Sequence, residues 1–257
     1  MKQMQIVYPI QWRMIMQFEK EYMYFSEIPL YVTSIFETVS GEVGIINQGQ
    51  LCTFVRLAMC DLRCTWCDAK HSLRKSDGKE MSVREVFNEV FQLKHSHIVI
   101  TGGEPLLQKE PLSVLVDRLR SFYTVQIETS GHIIDTEHTV RPSCWVVDYK
   151  LKGSAMNHRM MPWVNYSKFN APTYIKFVVA NEEDVIEAIA AAYNIKQESQ
   201  QYCTPYFAFS PVHGEYSPLA LYAHLQKHPE LHPIVNLQVH KYMGLSETEE
   251  KKIKKNF

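Results

Sequence analysis

Three cysteines stand close together in the segment Cys60-Asp-Leu-Arg-Cys64-Thr-Trp-Cys67. Three thiolates at this C-x3-C-x2-C spacing can hold three corners of a [4Fe–4S] cluster. The fourth iron then has no protein ligand and can bind a substrate or a cofactor. The loop therefore predicts an iron–sulfur cluster with one open coordination site.

Two other interpretations of the cysteine loop compete with this one. A structural zinc site prefers two C-x2-C pairs or added histidines, and the nearest further thiol, Cys52, lies eight residues upstream beyond a strand-like run. The second alternative is a set of cysteines buried by chance. Cys144 and Cys203 are isolated, and we expect them to be buried core thiols.

The segment Thr101-Gly-Gly-Glu-Pro105 is a second candidate for chemistry. It follows the apolar run His97–Ile100, which places it at the end of a predicted strand. Paired glycines let a backbone approach a ligand closely, and a carboxylate such as Glu104 can accept hydrogen bonds from an ammonium group. The alternative is an ordinary strand-to-helix turn, which the cysteine loop upstream makes less favoured.

Arg56 lies in an otherwise apolar run, and burying an arginine there is costly unless it is paired. A carboxylate that binds the guanidinium through two parallel hydrogen bonds would offset that cost. The pattern therefore favours an anionic ligand at Arg56, with an edge-strand position as the alternative.

The elements that must position these residues alternate between strands and helices. Eight short apolar or alternating runs predict strands: Leu30–Phe36, Thr53–Leu57, His97–Thr101, Val125–Glu128, Trp145–Tyr149, Tyr174–Val179, Tyr206–Ser210 and Val235–His240. Helical periods lie between several of them, beginning at the capping box Ser82-Val-Arg-Glu85, at Asn181 and at Ser217-Pro218. This alternation predicts an α/β fold with a mostly parallel sheet, either open or a partial barrel. The chemical residues fall at the carboxyl ends of the strands, where such folds build their sites.

Length and composition narrow the class of protein. The chain of 257 residues is long enough for one large domain or two small ones. A net charge of −1 gives no concentration of positive charge for binding nucleic acid. No apolar run approaches the ~20 residues that span a bilayer, and no signal peptide is recognisable. Clustered cysteines suit a reducing compartment, so a cytoplasmic location is expected. We predict an extension at residues 1–27, a core domain at 28–245 and a charged tail at 246–257.

The cysteine loop, with Trp66 before its last cysteine, resembles the signature of the radical S-adenosylmethionine (SAM) enzymes, and Gly102-Gly-Glu104 resembles their GGE motif. The resemblance implies a partial TIM-like (β/α) barrel. It also implies that the open iron binds SAM and that its cleavage gives a 5′-deoxyadenosyl radical.

A narrower resemblance, from Ile28 to about Leu245, is to the 7-carboxy-7-deazaguanine synthase family of queuosine biosynthesis, a tRNA modification pathway. It rests on six further segments: Ile35–Glu42, Phe54–Leu57, Cys64–Ser72, Ile127–Gly131, Asp148–Lys150 and Val239–Tyr242. The implied reaction converts 6-carboxy-5,6,7,8-tetrahydropterin to 7-carboxy-7-deazaguanine and ammonia.

The resemblance also implies roles for individual residues. The cluster ligands are Cys60, Cys64 and Cys67. The residues expected near SAM are Trp66, Asp68, Gly102, Gly103, Glu104, Glu128, Ser130, Asp148, Tyr149 and Lys150. Those expected near the pterin are Val39, Ser40, Gly41, Glu42, Arg56, Thr101 and His240. An electron donor such as flavodoxin, a homodimer and a Mg²⁺ ion are implied as well.

The sequence departs from the family pattern at several of these positions. Ser40 and Val43 replace a glutamine and a glycine around Glu42, and Asp148-Tyr149 replaces Ser-Pro before Lys150. Ala69 stands where the family usually has a threonine or serine that binds magnesium, and an alanine methyl cannot coordinate a hard cation. The magnesium requirement is therefore in doubt.

Three rival functions stay open at this point. One is another radical SAM enzyme, such as an activase that installs a glycyl radical on a partner protein. The second is a paralogue with an altered substrate, which the changes at Ser40, Val43 and Ala69 favour. The third is a non-enzymatic protein in which the cysteines bind a structural metal.

Overall fold

A computed structural model describes residues 27–199 and 204–245. The strands are β1 Pro29–Val39, β2 Leu51–Leu57, β3 Lys79–Ser82, β4 His97–Gly102, β5 Thr124–Thr129, β6 Cys144–Tyr149, β7 Thr173–Val179, β8 Tyr206–Pro211 and β9 Ile234–Val235. The helices are α1 Val83–Gln92, α2 Lys109–Leu119, α3 Glu182–Glu198, α4 Pro218–Leu225 and the single turn α5 Val239–Tyr242. The predicted α/β class is confirmed.

The nine strands form one sheet in the order β3-β1-β2-β4-β5-β6-β7-β8-β9. All neighbouring pairs from β2 to β9 are parallel, whereas β1 runs antiparallel to both β2 and β3. The sheet has two edges, at β3 and β9, so it is the open, partial form of a barrel. The prediction of a mostly parallel sheet is confirmed.

Alternation along the strands separates an apolar face from a polar one. Ile127, Val147 and Phe177 are fully buried beneath the helices, together with the apolar stripe of α1. The neighbouring residues Glu128 and Lys176 point to the opposite face, because successive side chains of a strand alternate. The strands therefore carry the core on one face and charged groups on the other.

Capping residues set the helix starts as the sequence predicts. Ser82 Oγ accepts from Glu85 N at 3.2 Å while Glu85 Oε2 accepts from Ser82 N at 2.7 Å, which completes the capping box of α1. Asn181 caps α3 by accepting from Asp184 N, and Ser217 caps α4 ahead of Pro218. Within residues 27–199 and 204–245, no helix combines the length and apolar character that crossing a bilayer requires.

One strand prediction is wrong and one strand was not predicted. The predicted strand Val235–His240 ends at Val235, because the chain turns into α5 at Val239. Asn236 stays beside β8, with its N donating to Phe209 O at 2.8 Å, and its side chain points inward: its Oδ1 accepts from Val43 N at 2.8 Å and its Nδ2 donates to Glu42 Oε2 at 2.6 Å. The short edge strand β3 was not predicted, since Lys79-Glu-Met-Ser82 has no distinctive alternation. The predicted extension (except Glu27), the tail and Cys203 lie outside the described residues, so the domain boundaries stay predictions.

Candidate active site

A cavity of about 550 Å³ opens at the carboxyl ends of the parallel strands. We call it the rim cavity. The cysteine loop after β2, the ends of β4 to β7 and helix α5 all contribute to its wall. The predicted site residues in this wall are Val39, Gly41, Glu42, Arg56, Cys60, Cys64, Trp66, Cys67, Asp68, Ala69, Thr101, Gly102, Gly103, Glu128, Ser130, Asp148, Lys150 and His240. The fold thus brings together most of the residues that the sequence selected.

The three cysteines of the loop are half-buried free thiols that share this wall. Burial raises the pKa of the Cys60 thiol to about 11 and also raises that of Cys64. No three His, Cys, Asp or Glu side chains among the described residues are gathered around one point, as a single metal ion requires. A cubane cluster has a different requirement, because each thiolate binds a different iron. Three free thiols facing one cavity fit that donor set.

The glycine pair joins the end of β4 to the backbone of the cysteine loop. Gly103 N donates to Leu57 O at 2.7 Å and Glu104 N donates to Met59 O at 2.6 Å. A Cβ on Gly103 would lie 2.0 Å from Met59 O, and Gly102 has a φ of 132°. Only glycine permits this approach, so the pair fixes the position of the cysteine loop.

The carboxylate of Glu104 points away from the cavity wall and braces β4 against β5. It accepts from Leu106 N at 2.9 Å, from Thr129 Oγ1 at 2.7 Å and from Ser130 N at 2.8 Å, and also from Ser130 Oγ. These donors satisfy a fully buried carboxylate. Its predicted side-chain contact with a ligand ammonium stays a prediction.

A hydrogen-bonded chain that was not predicted links the cysteine loop to the end of β5. Ser130 Oγ lies 2.7 Å from His132 Nδ1, and His132 Nε2 lies 2.6 Å from Asp61 Oδ1. Arg159 Nη2 donates to Asp61 Oδ2 at 2.6 Å. Its position in the sequence could have identified His132 as a site residue, because it follows directly after the predicted segment that ends at Gly131.

A buried lysine that the sequence reasoning missed lies at the centre of the charged wall. Lys176 Nζ lies 3.1 Å from Glu42 Oε1 and 3.1 Å from Asp148 Oδ1. Lys150 forms a second, close ion pair with Asp148. Lys176 interrupts an apolar strand just as Arg56 does, so the same signal could have identified it.

The mixed charges of this wall shift the pKa values of its members. Burial, and then the charge of Glu42, raises the pKa of Glu128 to about 8. Burial acts to lower the pKa of Lys176, but the carboxylates of Asp148 and Glu42 raise it above its ordinary value. Glu128 is therefore a protonated carboxyl group and Lys176 an ammonium at neutral pH.

Helix α5 closes the cavity beside Glu42. Gln238 Nε2, just before α5, donates to Glu42 Oε1 at 2.8 Å. The ring of His240 lies so close to Gly41 that a Cβ there would be 1.9 Å from His240 Nδ1. Burial lowers the pKa of His240, so the ring is a neutral hydrogen-bonding group at neutral pH.

Besides Glu104, two predicted site residues lie outside the cavity wall. Tyr149 falls on the opposite face of β6 from Asp148 because strand residues alternate, and its ring packs 5.3 Å from that of Tyr166. Ser40 is buried, and its Oγ donates to Glu42 O at 3.4 Å. Ser40 therefore contacts the wall through Glu42, whereas Tyr149 packs into the core behind it.

Comparison with known proteins places this geometry in a family. Residues 55–142 match the model of the Radical SAM superfamily. A 7-carboxy-7-deazaguanine synthase from Hyperthermus butylicus is 33% identical over 228 residues, which cover 81% of this chain and 93% of that protein. One from Pyrobaculum aerophilum is 35% identical over 189 residues, covering 72% and 82%.

The fold has a counterpart among solved structures. The crystal structure of QueE from Escherichia coli superposes with a TM-score of 0.64 at 23% sequence identity, covering 84% of this chain and 97% of that one. This structural similarity supports the fold, and the similarity to the sequence relatives supports the family. The chain belongs to the 7-carboxy-7-deazaguanine synthase family of radical SAM enzymes.

Proposed function

We propose that this enzyme converts 6-carboxy-5,6,7,8-tetrahydropterin to 7-carboxy-7-deazaguanine with release of ammonia. The observation that carries the proposal is the rim cavity itself, where the thiols of the cysteine loop share one wall with Arg56, Glu42 and Lys176. An open-site cluster and a set of groups for an anionic heterocycle are thereby brought to one place. Membership of the synthase family supports the same reaction.

The residues that would hold the cofactors come from the loop and the strand ends. Cys60, Cys64 and Cys67 would ligate the cluster. SAM would lie along Trp66, Gly102, Gly103, Ser130 and Lys150, with Asp68, Glu128 and Asp148 nearby. Bound together, the cluster and SAM supply hydrogen-atom abstraction from the substrate. The chain itself fixes the loop through Gly103 and positions Ser130 through Glu104.

The substrate would lie against the charged wall. Arg56 lines the cavity and offers a planar guanidinium to the substrate carboxylate. Glu42 presents a carboxylate whose oxygens are held by Asn236 and Gln238, so it can accept from ring N–H groups of the pterin without reorganising. Protonated Glu128 donates, Thr101 and His240 complete the wall, and apolar Phe54, Leu62 and Val212 exclude water.

The residues present do not fit a magnesium site. Ala69 offers only a buried methyl at the position of the usual oxygen ligand. Asp68, the adjacent carboxylate, is paired with Lys241 Nζ at 3.2 Å. Magnesium prefers an octahedron of oxygens, and the described residues gather no such set. No step of the proposed reaction depends on this ion.

Three further features rest on family membership alone. We propose a one-electron donor of the flavodoxin type, a homodimeric assembly and a cytoplasmic location. The donor must reach the cluster, which the cavity mouth permits because the cysteine side chains are partly exposed. Sedimentation of the purified protein and reduction by flavodoxin under anaerobic conditions test the first two.

The reaction is tested with anaerobically reconstituted protein, dithionite, SAM and 6-carboxytetrahydropterin. The expected product is lighter than the substrate by one ammonia, detected by mass spectrometry, and the Cys64→Ala variant should give none. A colourless protein that holds zinc in place of an iron–sulfur cluster would overturn the proposal of radical SAM chemistry. Cleavage of SAM to 5′-deoxyadenosine without the deazaguanine would instead identify a paralogue with another substrate, which the changes at Ser40 and Ala69 favour as the second candidate.

A further inference from the structure

A lysine is paired with Asp68 in the wall of the rim cavity. Lys241 Nζ lies 3.2 Å from Asp68 Oδ2, and its side chain is 29% exposed against 62% for the aspartate. The next residue, Ala69, contributes a buried methyl to the same wall. The three residues that define this corner thus present one carboxylate, one ammonium and no further oxygen ligand.

The position of this ammonium is set by contacts that hold the segment around α5. Gln238 Nε2 donates to Glu42 Oε1 at 2.8 Å, and Gln48 Nε2 donates to Leu237 O at 2.5 Å. The His240 ring packs over Gly41. Residues on both sides of Glu42 therefore fix α5, and with it the reach of Lys241 into the cavity.

An ammonium group and a divalent cation are alternative partners for a carboxylate such as that of Asp68 in the cavity wall. Both neutralise a carboxylate and attract an oxygen of the substrate, but two like charges beside one carboxylate repel each other. Ammonium needs no octahedral oxygen shell, so it tolerates the methyl of Ala69 where magnesium does not. The loss of an oxygen ligand at residue 69 and the presence of a cation at residue 241 compensate one another.

We propose that the Lys241 ammonium replaces the divalent metal at this corner, neutralising Asp68 and binding an oxygen of the substrate. The inference rests on the proposed function for the identity of that substrate. It makes Lys241 a substrate-binding residue and makes the reaction independent of magnesium.

Metal binding is tested without any turnover, by titrating the reconstituted enzyme with Mn²⁺ and following the free ion by electron paramagnetic resonance. The native enzyme should leave Mn²⁺ free. The double variant Ala69→Thr/Lys241→Ala should bind one ion that magnesium displaces. Binding at this corner by the native enzyme, or no gain of binding in the double variant, would overturn the proposal. Since no pterin is used, this result is separate from any failure of the proposed reaction.

Turnover gives the second test. Activity of the native enzyme should change less than about 2-fold between magnesium-free buffer and buffer with added magnesium. Lys241→Met should raise KM for the pterin by about 10-fold or more, and Lys241→Arg should restore part of the affinity. The control Lys227→Met removes an exposed lysine outside the cavity wall and should behave as native. An unchanged KM in Lys241→Met, or loss of activity in magnesium-free buffer, would refute the role.

Discussion

Glu128 is a carboxyl group that its surroundings keep protonated. Burial is the largest cause, and the negative charge of Glu42 adds to it, which raises the pKa of Glu128 from 4.5 to about 8. A protonated carboxyl can donate a hydrogen bond, which a carboxylate cannot. One wall therefore offers the substrate an acceptor at Glu42 and a donor at Glu128.

The raised pKa of Glu128 predicts a pH dependence of stability. Between pH 4.5 and 8 the folded protein binds a proton that the unfolded chain has released, so the free energy of unfolding falls as pH rises through this window. Denaturant titrations of the cofactor-free protein across that range measure the slope. The Glu128→Gln variant, which resembles the protonated side chain, should have a flatter slope; an equal slope would show that other groups cause it.

Arg56 predicts a selective loss of substrate affinity. Arg56→Ala should raise KM for the carboxylated pterin by about 100-fold, since a charge-assisted pair contributes about 1.5–3 kcal/mol. Formation of 5′-deoxyadenosine without substrate should change little. Arg56→Lys keeps the charge but not the planar fork, so it should recover only part of the affinity. Equal loss of both reactions in Arg56→Ala would refute the assignment.

Residue-level prediction from sequence succeeds where a side chain conflicts with its local pattern. Arg56 stands out in an apolar strand, and Lys176 carries the same signal. Their partners cannot be read in this way, because Lys176 meets Glu42 across more than a hundred residues of chain. Only folding of the chain brings such ion pairs together.

At the scale of elements, the decisive contact is between the end of β4 and the cysteine loop. The loop has a left-handed residue, Met59, at φ 76°, and its carbonyl accepts from Glu104 N. Gly103 lies against the same carbonyl. A strand end thereby determines where the cluster ligands stand.

Gly103→Ala is expected to displace the loop. Its Cβ would lie 2.0 Å from Met59 O. The other nearest atoms are also backbone atoms, of Met59 and Ser72, so no side-chain rotation can relieve the clash. We expect a loss of about 1–3 kcal/mol of stability and substoichiometric iron after reconstitution. Gly214→Ala is the matched control: Gly214 has φ 81° and open space around it, so it should lose stability but retain full iron content.

Elements were predictable from sequence wherever periodicity and capping agreed. The capping box at Ser82 and the parallel strands β4 to β8 are examples. The failure at the last strand lies in its length, since the chain turns into α5 at Val239 shortly after the strand ends at Val235. A run of residues with strand propensity does not reveal that a single helical turn will replace its second half.

At the scale of the whole molecule, the cavity brings together residues from both halves of the open sheet. Arg56 lies on β2 and the cysteine loop follows that strand, whereas Lys176 lies on β7. Occupation of the cavity should therefore tie the two halves of the sheet together.

Cluster assembly is expected to stabilise the protein as a whole. Because the folded chain binds the cluster and the unfolded chain does not, reconstitution should raise the Tm, and removal of iron by a chelator should reverse the rise. Anaerobic thermal unfolding followed by circular dichroism measures both. The Cys64→Ala variant should show no rise; a rise of the same size in that variant would indicate iron bound elsewhere.

The contacts that later parts of the chain make with the cysteine loop also have a consequence for the synthesis of the protein. Thr65 N donates to Ser154 O at 3.2 Å, Thr65 Oγ1 donates to Gly153 O at 3.1 Å, and Arg159 binds Asp61. These partners follow the loop by almost a hundred residues, so the cysteines emerge from the ribosome well before these contacts can form. The loop therefore reaches its mature geometry only after translation has passed Arg159.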